Sequence, residues 1–143
     1  AQRLLWNVPF SLWEKWGFFI LILVIVTGCK DDRILKNDNI TMSIEDGTLT
    51  KTSATIIITD LSNNINVYSE WFRIEKKENN KWKELKTKEN GTWFNSANYY
   101  VDNNKKLKFE HSWNYLYGEL EKGKYRLVKE VENKYFFVEF TID

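Results

Sequence analysis

A chain of 143 residues is long enough for one domain and a short additional segment. With 43% hydrophobic and 29% charged residues, it is too apolar for a disordered chain and too polar for a protein with several membrane spans. The formal net charge of +1 gives no general attraction to nucleic acid, and a single cysteine forms neither an internal disulfide nor a zinc site.

An apolar run occupies residues 17–27, GFFILILVIVT, and ends beside the only cysteine. A membrane-spanning helix needs about 20 apolar residues, so this run is too short to span a membrane but suits the apolar region of a signal peptide. The four residues Val26-Thr27-Gly28-Cys29 resemble the lipobox of bacterial lipoproteins. That resemblance implies a diacylglycerol thioether on Cys29 and cleavage between Gly28 and Cys29.

The residues on either side of this run complete the predicted N-terminal organisation. Residues 1–16 contain only Arg3 and Lys15 as cations, fewer than a usual signal peptide, so a signal-like anchor with an incidental cysteine stays as the alternative. We predict a signal peptide over residues 1–28. The polar, mixed-charge residues that follow predict a lipid-anchored tether over residues 29–39, short enough to keep the domain close to the membrane.

From residue 40 onward, apolar and polar residues alternate with a period of two, which predicts β-strands. Turn-forming residues at 78–80 and 132–134 predict two hairpins. The chain shows no internal repeat and no convincing amphipathic helix. The predicted strands are residues 40–44, 53–60, 71–77, 81–86, 106–113, 124–131 and 135–142.

Seven short strands in about 100 residues indicate an all-β, immunoglobulin-like sandwich of antiparallel strands over residues 40–143. Two sheets are needed because a single sheet cannot cover its own apolar face. Since no disulfide joins the sheets, packing alone must hold the core. The side chains predicted to face it are Ala54, Ile56, Ile58, Phe72, Ile74, Leu107, Phe109, His111, Trp113, Phe136, Val138, Phe140 and Ile142.

One tyrosine occupies a characteristic position in this pattern. Tyr125 lies two residues after Gly123, at the start of the penultimate predicted strand. A tyrosine corner of an immunoglobulin-like domain lies at this place, with its hydroxyl bonded to a nearby main-chain group. We therefore predict a structural tyrosine corner at Tyr125, with an ordinary core tyrosine as the alternative.

Two pairs of segments resemble a known family. Residues 113–120, WNYLYGEL, followed by residues 123–129, GKYRLVK, look like the bacterial Ig-like domain of Gram-positive surface proteins. The hairpin formed by WFRIEKK at residues 71–77 and KWKEL at residues 81–85 is similar to a hairpin of the same family. The likeness covers residues 40–143 and is weakest between residues 90 and 104. It implies the sandwich fold and carries no catalytic residues.

The residues that most often carry chemistry do not form a recognisable site. His111 is the only histidine, and no nucleophile is spaced to use it, so we expect a hydrogen-bonded histidine at a sheet edge rather than a catalytic base. Asp31-Asp32 and Asp102-Asn103-Asn104 lack the spaced oxygen ligands of a calcium loop. The six glycines are scattered and form no phosphate-binding loop. We expect no enzyme activity, no metal and no cofactor.

Aromatic residues crowd two stretches predicted to be loops or strand ends. Aromatic platforms bind sugar rings and partner side chains, and tryptophan and tyrosine are enriched in binding hot spots. The alternative is that these residues fill a core that has no disulfide. Nearby lysines at 105, 106 and 108 would suit an anionic polymer, or would protect a sheet edge. The candidate ligand-binding aromatics are Trp93, Tyr99, Tyr100, Trp113, Tyr115 and Tyr117.

These observations predict a monomeric, non-enzymatic binding or scaffolding module. A lipid on Cys29 would hold it on the outer face of a bacterial cell membrane, where it would meet a protein or polymer ligand and no nucleic acid. The alternative is an accessory subunit that binds a cell-envelope glycan through the aromatic cluster. A weaker hypothesis is a sensor domain detached from a larger membrane protein.

Overall fold

The computed structural model describes residues 39–88 and 94–143, and these contain seven strands and one single-turn helix. The predicted signal peptide, the predicted lipobox with Cys29, and all of the predicted tether before residue 39 lie outside the described residues. The elements in chain order are β1 (Ile40–Ile44), β2 (Ser53–Asp60), β3 (Arg73–Glu78), β4 (Lys81–Glu84), β5 (Lys106–Ser112), α1 (Asn114–Tyr117), β6 (Gly123–Val131) and β7 (Lys134–Ile142).

The strands form two antiparallel sheets, which confirms the predicted all-β sandwich. One sheet has the order β1-β2-β5, and the other has the order β4-β3-β6-β7. β5 therefore lies at an edge of the three-stranded sheet. Within the described residues, no helix is both long enough and apolar enough to cross a membrane.

The core is built from the alternating inward side chains of both sheets. Ile56 and Ile58 contribute from β2, and Ile74 and Leu127 contribute from β3 and β6, each at most 1% exposed. Trp113, at the end of β5, is fully buried, stacks on a ring of β7, and donates its indole N–H to the carbonyl of Lys51 at 2.8 Å. Burying this ring with its N–H satisfied contributes to stability without leaving an unpaired donor.

Two short turns set the register of the outer hairpins. Asn79 and Asn80 have φ values of 50° and 60°, and Glu132 and Asn133 have values of 50° and 62°. Positive φ at both central residues defines a type I′ turn, whose twist matches that of the flanking strands. Asparagine enters this region of φ more readily than most residues. The predicted hairpins β3–β4 and β6–β7 are thus confirmed.

Tyr125 is buried at the start of β6. Its ring is 2% exposed and stacks on Phe140 at a centroid distance of 5.7 Å. Its hydroxyl donates to the carbonyl of Glu121, four residues upstream, at 2.7 Å. This bond joins the connection before β6 to the core, as a tyrosine corner does.

The structure differs from the sequence predictions in local details. α1 is a single turn with Leu116 as its buried residue, and it ends at Gly118, whose φ of 79° favours glycine. One turn is too short to show a helical hydrophobic period, so no pattern in the sequence indicated it. β3 begins at Arg73, two residues later than predicted, because the main chain of Trp71 and Phe72 leads into the strand without pairing.

Candidate functional site

The aromatic residues predicted to bind a ligand do not lie together. Trp93 falls outside the described residues. Trp113 is fully buried, so it belongs to the core and its candidacy as a ligand contact is wrong. Tyr117 is half-buried against the core, and its hydroxyl accepts a hydrogen bond from the main-chain N–H of Ile74 at 3.4 Å.

The remaining three candidates are accessible to different extents. Tyr115 and Tyr100 are 71% and 54% exposed, whereas Tyr99 is half-buried. Tyr99 and Tyr115 line the same pocket, but Tyr100 lies outside it. The structure therefore keeps two of the predicted aromatics in one concave site.

This pocket has a volume of about 390 Å³ and lies beside the free edge of β5. Its walls come from β5, from α1, from the residues just before β3, and from the segment that follows residue 93. A volume of this size is within the range of ligand pockets, about 300–1,000 Å³. The aromatic rings that line it are Phe72, Phe94, Tyr99, Phe109, His111 and Tyr115.

Five of these rings pack in a continuous series. Phe94 meets Phe72 edge-on at 5.6 Å, and Phe72 lies 4.4 Å from the imidazole of His111. The imidazole stacks on Phe109 at 5.3 Å with an angle of 5° between the rings, and Phe109 meets Tyr99 edge-on at 5.2 Å. Because each ring is supported by the next, the wall of the pocket is largely preformed.

Glu70 contributes a carboxylate to the same pocket. The hydroxyl of Tyr99 donates to this carboxylate at 2.6 Å. Tyr99 is held in place by two main-chain bonds with Tyr68, of 2.8 and 3.0 Å. The hydrogen bond to Glu70, followed by burial, raises the pKa of Tyr99 above its ordinary value, so the tyrosine stays neutral.

Tyr68 itself is anchored by a buried carboxylate. Asp60, at the end of β2, is 2% exposed and accepts hydrogen bonds from the hydroxyl of Tyr68 and the amide of Asn66, both at 2.8 Å, and from the main-chain N–H of Ser62 at 2.9 Å. Burial alone would raise the pKa of Asp60, but these hydrogen bonds outweigh it and lower the pKa. The carboxylate thus organises the connection that leads towards Glu70.

A buried lysine lies behind the pocket. Lys129 of β6 is 1% exposed, and its ammonium donates to the carbonyls of Ser69 and Trp71 at 2.8 and 3.1 Å and to Nε2 of His111 at 3.2 Å. The same nitrogen is 3.9 Å from the centroid of the Phe109 ring. Three protons therefore meet three acceptors, and the aromatic face adds a cation–π contact.

Burial and the contact with Lys129 together set the protonation state of His111. Burial, followed by the nearby ammonium of Lys129, lowers the pKa of His111 to about 3. Burial also lowers the pKa of Lys129 to about 7, although the charge of Glu70 acts in the opposite direction. With the ammonium of Lys129 as the donor, Nε2 accepts the hydrogen bond, and we assign the neutral tautomer with hydrogen on Nδ1. An imidazole with a pKa of about 3 is a weak base near neutral pH.

Sequence reasoning missed Lys129 because lysine on a strand is usually solvated. The alternation of Tyr125, Leu127 and Val131 places residue 129 on the inward face, and this signal was present in the sequence.

A second group of charges was also missed, on the outer face of the four-stranded sheet. Glu75 lies between Arg73 and Arg126, with N–O distances of 2.8 and 2.5 Å. The guanidinium of Arg126 is covered by Trp82 at 4.7 Å and by Phe137 at 5.1 Å. The three charges pair across β3 and β6, so the arrangement reads as a structural ion-pair network.

The candidate calcium turn has a structural role of its own. One carboxylate oxygen of Asp102 accepts the main-chain N–H groups of Asn104 and Lys106, both at 2.8 Å. Asp31 and Asp32 lie outside the described residues. Across residues 39–88 and 94–143, no group of three or more histidine, cysteine, aspartate or glutamate side chains is arranged to hold a metal ion.

Comparison with known proteins gives one match. A family model described as a bacterial Ig-like domain matches residues 36–141, which is well over half of the chain. The searches of curated proteins and of solved structures found no significant match. The matched range contains all seven strands except the last residue of β7.

Proposed function

Because the chain belongs to the bacterial Ig-like domain family, we propose that it is a non-enzymatic binding module that a lipid on Cys29 holds on the outer face of a bacterial membrane. The sequence supports the anchor, since an apolar run too short to span a membrane leads into Val26-Thr27-Gly28-Cys29. The tether over residues 29–39 would keep the domain near the bilayer.

One observation carries the binding role. The pocket beside β5 combines a packed series of rings with the exposed ring of Tyr115 and the carboxylate of Glu70. An exposed aromatic at the wall of a preformed pocket is typical of ligand recognition. Burial, followed by the ammonium of Lys129, lowers the pKa of the nearby His111, and a neutral imidazole of this kind is not suited to acid–base catalysis near neutral pH.

The anchor is tested by replacing the acylated residue. In cells fed labelled palmitate, the native chain should take up label and fractionate with membranes. Cys29→Ser should lose the label and the processed, membrane-bound form. A Cys29→Ser protein that is still processed and still requires detergent would contradict the anchor.

A second candidate function is an accessory subunit that binds a cell-envelope glycan. It is favoured by Tyr115, whose exposed ring could stack on a sugar beside polar groups of the pocket such as Ser112. Co-sedimentation with purified peptidoglycan tests it. Tyr115→Ala should abolish sedimentation and Tyr100→Ala, an equally simple change outside the pocket, should not. Equal sedimentation of both variants and the native protein would place any glycan contact elsewhere.

A further inference from the structure

We propose that the pocket beside β5 binds an organic ammonium group, as carried by a primary amine or a quaternary ammonium ligand. This inference deepens the proposed binding function and rests on it. It gives the pocket a ligand chemistry that differs from both a neutral sugar and an anionic polymer.

The charges that line the pocket favour a cation. Glu70 and Glu110 both line it, and within the described part of the chain neither forms an ion pair. Lys108 also lines it, but its ammonium is engaged by the carboxylate of Glu45. The lining therefore carries two carboxylates that form no ion pair with a described residue, although Glu70 accepts a hydrogen bond from Tyr99 and its charge acts on Lys129, whereas the lysine of the lining is already paired.

The aromatic rings favour the same ligand. Phe72, Phe94, Tyr99 and Tyr115 line the cavity, and the faces of such rings attract cations. Phe109 lines it as well, but its ring is already in contact with Lys129 and stacked on His111. One ring of this lining already contacts an ammonium group of the protein itself, since the nitrogen of Lys129 lies 3.9 Å from the centroid of Phe109. Proteins recognise quaternary ammonium groups with sets of aromatic rings, and adjoining carboxylates add attraction for any cation.

The histidine of the lining does not oppose a cation. Nε2 of His111 accepts from Lys129, so the imidazole is neutral. Among the described residues, the ammonium of Lys129 is the buried positive charge behind the lining, and it donates to three acceptors of the protein itself. With Lys108 paired to Glu45, the carboxylates of Glu70 and Glu110 outnumber this single charge.

The test uses the full chain in non-ionic detergent, with titrations followed by saturation-transfer nuclear magnetic resonance at constant ionic strength. The decisive pair is choline and its neutral isostere 3,3-dimethyl-1-butanol, which differ in charge but not in shape. Choline should bind with a dissociation constant on the order of 1 mM, at least about tenfold tighter than the isostere. Equal binding of the two would overturn the proposal, as would no detectable choline binding at about 100 mM.

Single substitutions test whether choline binds in this pocket. One of them changes an exposed residue, so its effect on binding does not depend on a change in folding. Glu70→Gln should weaken choline binding about fivefold, and so should Glu110→Gln, which changes an exposed residue and leaves the fold intact. Tyr100→Ala, outside the pocket, should bind as the native chain does. Unchanged binding in both glutamate variants would overturn the proposal.

Two further ligands separate the sources of the ammonium group. Tighter binding of Nα-acetyl-lysine amide would indicate a peptide amine, and tighter binding of phosphoethanolamine would indicate a lipid headgroup; either supports the ammonium site. Binding of N-acetylglucosamine without choline would overturn the ammonium site but leave the glycan-binding function in place. Failure of the native chain to take up labelled palmitate would count against the lipid anchor alone. Failure of the anchor and failure of the ammonium site are therefore distinguishable.

Discussion

The ammonium of Lys129, on β6, donates to Nε2 of His111, on β5, at 3.2 Å across the interior of the sandwich. The two residues belong to different sheets, and each is at most 5% exposed. The contact therefore joins the two sheets through a polar bond inside the core. The bonds of the same ammonium to the carbonyls of Ser69 and Trp71 also join the back of the pocket beside β5 to the main chain that leads into β3.

Replacing the buried lysine tests how much this contact between the sheets contributes to stability. Lys129→Met keeps the length of the side chain but removes the donors to His111 and to the carbonyls of Ser69 and Trp71. Unpaired buried acceptors cost about 1–3 kcal/mol each, and part of this is recovered by burying an apolar chain, so we expect a loss of about 2–4 kcal/mol. Urea unfolding measures it. The exposed Lys124→Met, on the same strand, should change stability by less than about 0.5 kcal/mol.

A Lys129→Met protein as stable as the native chain would show that burying the charge costs as much as its hydrogen bonds contribute.

His111 should make the domain sensitive to acid. Its pKa is about 3 in the folded chain and 6.5 in the unfolded chain, so the unfolded chain binds the extra proton as the pH falls. The stability that the neutral histidine contributes is complete above pH 6.5 and is lost progressively from there towards pH 3. Between pH 6.5 and 4.5 the loss should be about 2 kcal/mol.

Urea unfolding across that interval checks the prediction, since the lowered pKa of Asp60 acts only at more acidic pH. His111→Gln, which does not titrate, should give a nearly flat profile. A native profile that is equally flat would contradict a buried, neutral His111.

Two substitutions of Tyr125 distinguish the stability contributed by its hydrogen bond from the stability contributed by its buried ring. Tyr125→Phe removes only the bond to the carbonyl of Glu121 and should cost about 0.5–1.5 kcal/mol. Tyr125→Ala also removes the ring that stacks on Phe140 and should cost about 3–5 kcal/mol. Denaturant unfolding measures both. Near-zero losses in both variants would mean that the ring is not part of the core.

The ion-pair network on the outer face of the four-stranded sheet should lose as much stability on removal of one partner as a buried ion pair does. Glu75→Gln leaves the guanidinium of Arg126 without its charged partner, and we expect a loss of about 3–5 kcal/mol in the free energy of unfolding. The control is Glu78→Gln, which breaks an exposed pair with Lys83 and should change stability little. Similar small effects of both changes would show that Glu75 is solvated in solution.

The sequence by itself determined the strands, their inward faces and the two hairpins. A period of two is a local property, so Ile56 and Ile58 could be placed on one face without knowing what they meet. Short turns such as Asn79-Asn80 set the register of neighbouring strands for the same reason. A main-chain bond of Tyr125 could also be predicted from the sequence, because its hydroxyl donates to a group only four residues away.

The tertiary structure alone decided which residues meet across the layers and which rings reach solvent. Glu75 and Arg126 are 51 residues apart, and Lys129 and His111 come from sheets whose packing no local pattern encodes. Trp113 and Tyr115 are two residues apart in one aromatic stretch, yet the first is fully buried and the second is 71% exposed. Their difference arises because the chain passes from β5 into α1 between them, and side-chain burial depends on what packs above a position as well as on the residue type.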